Sequence, residues 1–187
     1  TAIAATSYTM DEVQYKREYL VSQPQQVMVM QLTASKTGHI NFEVALTSVH
    51  KKYALKQIDK LTQELSLEVK HGSLKGVSHI RVRTKNGNIR YTTTGITVDK
   101  ADEATVYITA TTNYKNYKDV SANAAAISKK QLLSAVVLSY AQIKQAHIKE
   151  YQQYFNTFSI SFGKGNEQLP TDERLQQFAT ANDPAFA

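Results

Sequence analysis

The chain has 187 residues, 42% apolar and 20% charged, with no cysteine, no tryptophan and a net charge of +6. That size and balance suit one well-cored domain with an appendage, or two small ones, and argue against a disordered tail, a disulfide scaffold or a thiolate metal site. No apolar run approaches the ~20 residues that cross a bilayer as a helix, and no basic stretch leads into a long apolar one at the start, so no membrane partner is expected and no signal peptide is read.

Residues 3–8 read as a strand already in progress, and with no initiator methionine the natural polypeptide is expected to begin upstream. Up to about Thr112 the apolar period is two. Val27, Val29 and Gln31 alternate with Met28, Met30 and Leu32; Ile40, Phe42, Val44 and Leu46 share a face, as do Leu65, Leu67 and Val69, then Val106, Ile108 and Ala110. Gly38, within residues 36–39, and the run Asn86, Gly87, Asn88 read as tight turns joining consecutive strands. The spacing predicts an antiparallel β-sandwich or barrel, not a parallel sheet, over residues 1–120.

Between Lys51 and Arg90 there are ten Lys or Arg against three acids, which raises nucleic acid as a partner. Arg81, Arg83 and Lys85, however, alternate with Ile80, Val82 and Thr84, the pattern of a strand with one wet face. A solvated face is the expectation, and no nucleic acid partner.

Near Ala122 the period changes to that of a helix. Ser128 followed by Gln131 has capping-box spacing, and Leu132, Val136, Tyr140, Ile143, His147, Tyr151 and Phe155 recur at threes and fours. Residues 121–156 are therefore expected to form a helical linker, as one helix of about 40 Å or two abutting ones. Phe158, Ile160 and Phe162 then alternate with Thr157, Ser159 and Ser161, predicting a strand over 157–163 that returns to the sandwich. After a polar loop, Pro170 precedes Thr171 as a helix N-cap, with Asp172 and Glu173 at the positive end of the dipole. That helix is expected to stop near Asn182, before Asp183 and Pro184, and residues 164–187 read as the approach to a further domain.

Little in the chain carries chemistry. Hydrolysis of a sugar bond needs one protonated and one ionised carboxylate across a cleft, whereas Asp11, Glu12, Asp99, Asp102, Glu103, Asp172 and Glu173 fall where turns and caps already account for them. His39, His50, His71, His79 and His147 have no metal-ligand spacing, and the seven glycines form no phosphate loop, so no catalytic residue, metal or cofactor is assigned. His147, between Ile143 and Tyr151 on the apolar stripe, is read as a buried structural imidazole. Asn113, Tyr114, Asn116, Tyr117 and Asp119 form a loop whose aromatic faces and amides suit either a neighbouring domain or a sugar.

Several blocks in one order resemble a known family. Tyr15 to Tyr19, Ser22 to Val27 with Pro24, Leu32 to Lys36, Ala110 to Asp119, His147 to Gln152, Leu169 to Leu175 and Asp183 with Pro184 are similar to segments of glycoside hydrolase family 95, the α-L-fucosidases. The resemblance implies a supersandwich-like N-terminal domain, truncated here and mainly β with some α, followed by linker helices. It also implies an (α/α)6 catalytic barrel in the same polypeptide, which would hydrolyse α-L-fucosyl linkages with inversion, and a secreted or periplasmic location. No residue here matches the family's catalytic motifs, and Asn156 is followed by Thr157 where family members tend to carry arginine. The expectation is thus a non-catalytic piece of a glycosidase, with a fucosylated glycan as the parent's substrate and self-association where the barrel is missing. An independent carbohydrate-binding module is the alternative.

Overall fold

The computed structural model describes residues 1–69, 72–161, 163–180 and 183. It divides into two compact units, Thr1–Tyr151 and Gln152–Ala187. In chain order the strands are β1 Ala4–Met10, β2 Val13–Ser22, β3 Val27–Ala34, β4 Ile40–Val44, β5 Tyr53–Asp59, β6 Thr62–Glu68, β7 Lys75–Lys85, β8 Asn88–Tyr91, β9 Ile96–Ala101 and β10 Glu103–Thr112. Helices α1 Ala124–Val136, α2 Tyr140–Phe155 and α3 Thr171–Gln177 follow.

The strands form a seven-stranded sheet, ordered β1-β2-β3-β10-β7-β6-β5, and a three-stranded sheet, β4-β9-β8. Every pairing is antiparallel. Of the sandwich or barrel that the two-residue period allowed, the sandwich is present. At the centre of the large sheet β10 is buried on both faces, because Val106 and Tyr107 project to opposite sides. Val106 packs with Leu32, Ile80, Val82, Ile96 and Val98, which fills the space between the two sheets. On the other side Tyr107 packs with Leu20, Val27 and Val29 beneath Leu132 and Ala135 of α1 and Ile143 of α2. Each fully buried side chain of this size contributes about 1.5–3 kcal/mol.

Two turns behave differently from expectation. Gly38 leads from β3 to β4, and Asn86 with Gly87 leads from β7 to β8, yet in both cases the chain changes sheet instead of closing a hairpin. Asn86 and Gly87 have φ of 55° and 75°, so the reversal is as tight as the sequence implies. A turn signal fixes the reversal but not the partner of the next strand, which here is β9.

The face of β7 expected to be wet is partly roofed by a helix. Arg83 lies over the Tyr107 ring, 5.4 Å from its centroid, and donates to Val136 O and Leu138 O at 3.2 Å each, capping the end of α1. Arg81 pairs with Asp59 at 2.8 Å and donates to Thr62 at 2.7 Å.

Residues 121–156 hold two helices, the second of the two arrangements that the period allowed, and the first starts earlier than the capping-box spacing at Ser128 predicts. Asn123 caps α1, accepting from Ala126 N at 3.0 Å, and Ala124, Ala125 and Ala126 extend the helix immediately. Ser128 therefore lies inside α1. The capping box belongs to α2, where Ser139 Oγ accepts from Gln142 N at 3.2 Å and Gln142 Oε1 accepts from Ser139 N at 2.8 Å.

Glu18 ties α2 to β2, accepting from Lys144 Nζ at 2.9 Å and from the Tyr140 hydroxyl at 3.4 Å. The lysine hydrogen bond holds the Glu18 carboxyl below its ordinary 4.5, against the opposing effect of burial. A lowered carboxylate pKa stabilises the fold above the unfolded value, and the contribution is lost as pH falls through the folded one. Glu18→Gln is expected to cost ~1 kcal/mol at neutral pH and much less near pH 3, as read by urea unfolding at both values.

In the second unit, Pro170 occupies the cap position of α3 with no side-chain cap bond, and Thr171 is the first helical residue. The proposed N-cap role of Thr171 is therefore corrected: the fixed φ of proline suits the residue that enters the helix, placing the threonine hydroxyl one position too far along. Asp172 and Glu173 lie in the first turn as expected. α3 ends at Gln177, short of the predicted stop, and Asn182 lies outside the described residues. Arg174 grips the buried Asp183 through two bonds of 2.8 Å. The strand expected over 157–163 is not formed in residues 157–161, and Phe162 lies outside the described residues. Phe158 and Ile160 are 75% and 63% exposed. Alternation alone does not make a strand when no neighbouring strand pairs with its backbone.

Candidate functional site

The loop after β10 brings Asn113, Tyr114, Asn116, Tyr117 and Asp119 together, in two roles. Asn113 is 9% exposed. Its side chain donates to Ser73 O at 3.0 Å and Val120 O at 2.7 Å and accepts from Lys75 N at 2.8 Å, so three of the amide's hydrogen-bonding positions go to backbone. Asn116 and Asp119 exchange backbone hydrogen bonds of 3.2 and 3.1 Å, closing a tight turn. The Asp119 carboxylate accepts from Ser121 N at 2.8 Å and faces Lys115 Nζ at 3.2 Å. The Ser121 bonds, with the lysine, hold its pKa down to about 2. Asn113, Asn116 and Asp119 thus brace the loop. Tyr114 and Tyr117 are presented by it, 53% and 81% exposed, with Lys118 Nζ 5.2 Å from the Tyr117 ring centroid.

Beside the root of the loop lies a groove of about 370 Å³, lined by Leu65, Leu67, Leu74, Val77 and Ala110 with Lys75 at its margin. Its described lining contains no carboxylate. The described carboxylates with shifted pKa values, Glu18, Asp59, Asp102, Asp119 and Asp183, are all shifted downward. A general acid for glycoside hydrolysis needs the opposite shift. Among the described residues no group of three or more His, Asp or Glu is placed to hold a metal ion.

His147 is 5% exposed, stacked on Tyr151 and hydrogen-bonded through Nε2 to Thr1 O and Ala2 O at 3.1 and 3.0 Å. Since Nε2 faces two carbonyls it carries a proton, and Nδ1 is buried with no hydrogen bond among the described residues.

One constellation has no counterpart in the sequence reading. Glu64 Oε2 lies 3.0 Å from His79 Nε2, and His79 Nδ1 lies 2.8 Å from Ser128 Oγ, which is 2.8 Å from Thr109 Oγ1. An acid, an imidazole and a hydroxyl in line have the composition of a hydrolytic triad, but Ser128 is fully buried inside α1 and its hydroxyl faces no cleft. The four residues come from β6, β7, β10 and α1. The only signal in the sequence is polar residues at positions whose neighbours point into the core.

Comparison with known proteins gives the setting. Residues 1–117 match the model for the N-terminal domain of glycosyl hydrolase family 65, and residues 139–187 match the model for the catalytic domain of glycosyl hydrolase family 95. The second match opens at the capping box of α2. Alpha-L-fucosidase 2 of Arabidopsis thaliana is 26% identical over an alignment spanning all of this chain and 26% of that protein. The chain thus spans about a quarter of the length of this curated relative. A putative kojibiose phosphorylase from the human microbiome superposes with a TM-score of 0.56 at 11% identity, over 82% of this chain and 23% of that one, a likeness of fold. With well over half of its 187 residues matched, the chain belongs to the glycosyl hydrolase family 65 N-terminal domain family, and it continues into a segment like the family 95 catalytic domain.

Proposed function

We propose that this chain is the sandwich and helical approach of a larger inverting glycosidase acting on α-L-fucosyl linkages in glycans, and that it braces the catalytic domain without supplying an acid or a base. The observation that carries this reading is the order of the two matches, an N-terminal glycosidase domain over residues 1–117 and, after α1, a segment over 139–187 that matches the family 95 catalytic domain. The similarity of the whole chain to an α-L-fucosidase supports the fucosyl linkage. The described carboxylates agree with a bracing role, since the shifted ones are stabilised as anions by hydrogen bonds from the Asn86 amide, the Ser121 hydroxyl, lysine, arginine or backbone donors.

A braced loop that presents Tyr114 and Tyr117 is suited to contact with the catalytic domain. It also favours a second reading, an independent carbohydrate-binding module with these rings as its platform. Calorimetric titration with fucosylated oligosaccharides separates the two. The bracing role predicts no binding heat, and Tyr114→Ala with Tyr117→Ala is expected to leave stability within ~0.5 kcal/mol, because both rings stand in solvent. Binding that disappears in the double variant would replace the bracing role with the module.

A further inference from the structure

We propose that Glu64, His79, Ser128 and Thr109 form an acid-sensitive clasp, which holds α1 on the seven-stranded sheet and releases the helix before the sheet opens. The inference is independent of the fucosyl reading. It rests on a hydrogen-bonded chain that joins four elements beneath the middle of α1.

The direction of each bond follows from the chemistry of the groups. An ionised Glu64 only accepts, so His79 Nε2 at 3.0 Å is the donor and the neutral ring has its lone pair on Nδ1. Ser128 then donates to Nδ1 at 2.8 Å, and Thr109 donates to Ser128 Oγ at 2.8 Å. Every group is satisfied in this state, and His79, Ser128 and Thr109 are 2%, 0% and 1% exposed.

Protonation of Nδ1 reverses the chain. The ring now donates to Ser128, whose proton turns to Thr109, and the threonine proton turns to Ser128 O at 3.2 Å. Hydrogen bonding survives, but a cation has been placed where water does not reach. The charged groups around it compensate only in part. Glu64 on β6 attracts it; Lys129 on α1 repels it; Arg81 farther along β7 is itself cationic and engaged with Asp59; β10 contributes the neutral Thr109 hydroxyl. Burial outweighs the pull of Glu64, and the His79 pKa lies below its ordinary 6.5.

A lowered histidine pKa stabilises the fold fully above the unfolded value, and the contribution is lost as pH falls from there through the folded value. One proton taken up on release makes the opening equilibrium up to ~10-fold more favourable per pH unit. The helix yields first because it meets the sheet through few buried side chains, Ala124, Ser128, Leu132 and Ala135, whereas β10 is paired along both edges. α1 stands between the sandwich strands and the segment that resembles a catalytic domain, so acid loosens that connection.

Hydrogen exchange on the whole chain tests the clasp, with protection factors compared between about pH 7 and pH 5, the range in which histidine titrates. Amides of Leu132 and Ala135 are expected to lose protection up to ~10-fold per pH unit while those of Val106 and Ile108 keep theirs. His79→Gln should remove this dependence, and Glu64→Gln, which leaves the imidazole foldable but without its counter-charge, should lower the folded-state pKa of His79 further, so that the loss starts at the same pH and continues to lower pH. Equal losses in α1 and β10, an unchanged slope in His79→Gln, or a loss in Glu64→Gln that levels off at a higher pH than in the unaltered chain, would overturn the proposal.

Discussion

Ile143→Ala is expected to cost ~2–5 kcal/mol, with the loss concentrated in the attachment of α2. Ile143 is fully buried, and with His147 it is one of two buried residues that α2 contributes. It closes the cluster around Tyr107, Val27 and Val29, so its truncation leaves a cavity where α2 meets the sheet. Urea unfolding should show the full cost, and limited proteolysis should show new cleavage in α2 before cleavage in the strands. Leu133→Ala, on the 51% exposed side of α1, should stay within ~0.5 kcal/mol. A cost below ~1 kcal/mol for Ile143→Ala would mean that α2 is held by something other than this contact.

Gly95→Ala is expected to damage the small sheet by more than ~3 kcal/mol. A Cβ there would lie 2.2 Å from Val44 O and 3.0 Å from both the Val44 carbonyl carbon and the Ala45 Cβ. The obstacle is backbone, which no rotamer change can move. Gly95 is also fixed by Thr92, whose N donates to Gly95 O at 2.8 Å and whose Oγ1 accepts from Gly95 N at 3.0 Å. Relief therefore has to come from separating β4 from β9, where Val44 pairs with Ile96 and Phe42 with Val98. For a chain of this length the melting temperature should fall by roughly 6–12 °C, and an unchanged value would contradict the packing described.

The contrast between those two sites shows what the sequence exposes. Val27, Val29, Val106 and their neighbours announce strands because a half-buried strand repeats every two residues, a local property. Gly95 stands alone in a run of threonines, and only the approach of Val44, about fifty residues earlier, makes its missing side chain necessary. Turn residues behave similarly: Asn86 and Gly87 specify a reversal, but the choice of β9 as the next partner is made by the core between the sheets. Ser128 and Ser139 both precede a glutamine by three, and the spacing alone does not separate them. Asn123 before three alanines starts α1 early enough to bury Ser128, whereas Ser139 lies in the break that follows Val136.

The candidate loop was legible in composition and only half legible in role. Asn113, Asn116 and Asp119 looked as suited to a ligand as Tyr114 and Tyr117, yet Asn113 is drawn inward by Ser73, Lys75 and Val120, partners outside its own turn. The Glu64, His79, Thr109 and Ser128 chain was not legible, since its members are far apart in sequence and the one pattern that includes any of them, the capping-box spacing at Ser128, points to a helix end. The alternating pattern of 157–161 was legible but not decisive, because a strand is a property of a pair of segments.

The central claim is that this chain positions a glycosidase and does not perform its chemistry. The most direct measurement is release of fucose from an aryl α-L-fucoside and from a fucosylated oligosaccharide by the purified 187-residue chain, over hours at micromolar protein. The account predicts release no faster than in buffer, including when the carboxylates Glu18, Asp59 and Asp119 are replaced by their amides. Turnover by the chain, abolished by one of those replacements, would contradict it.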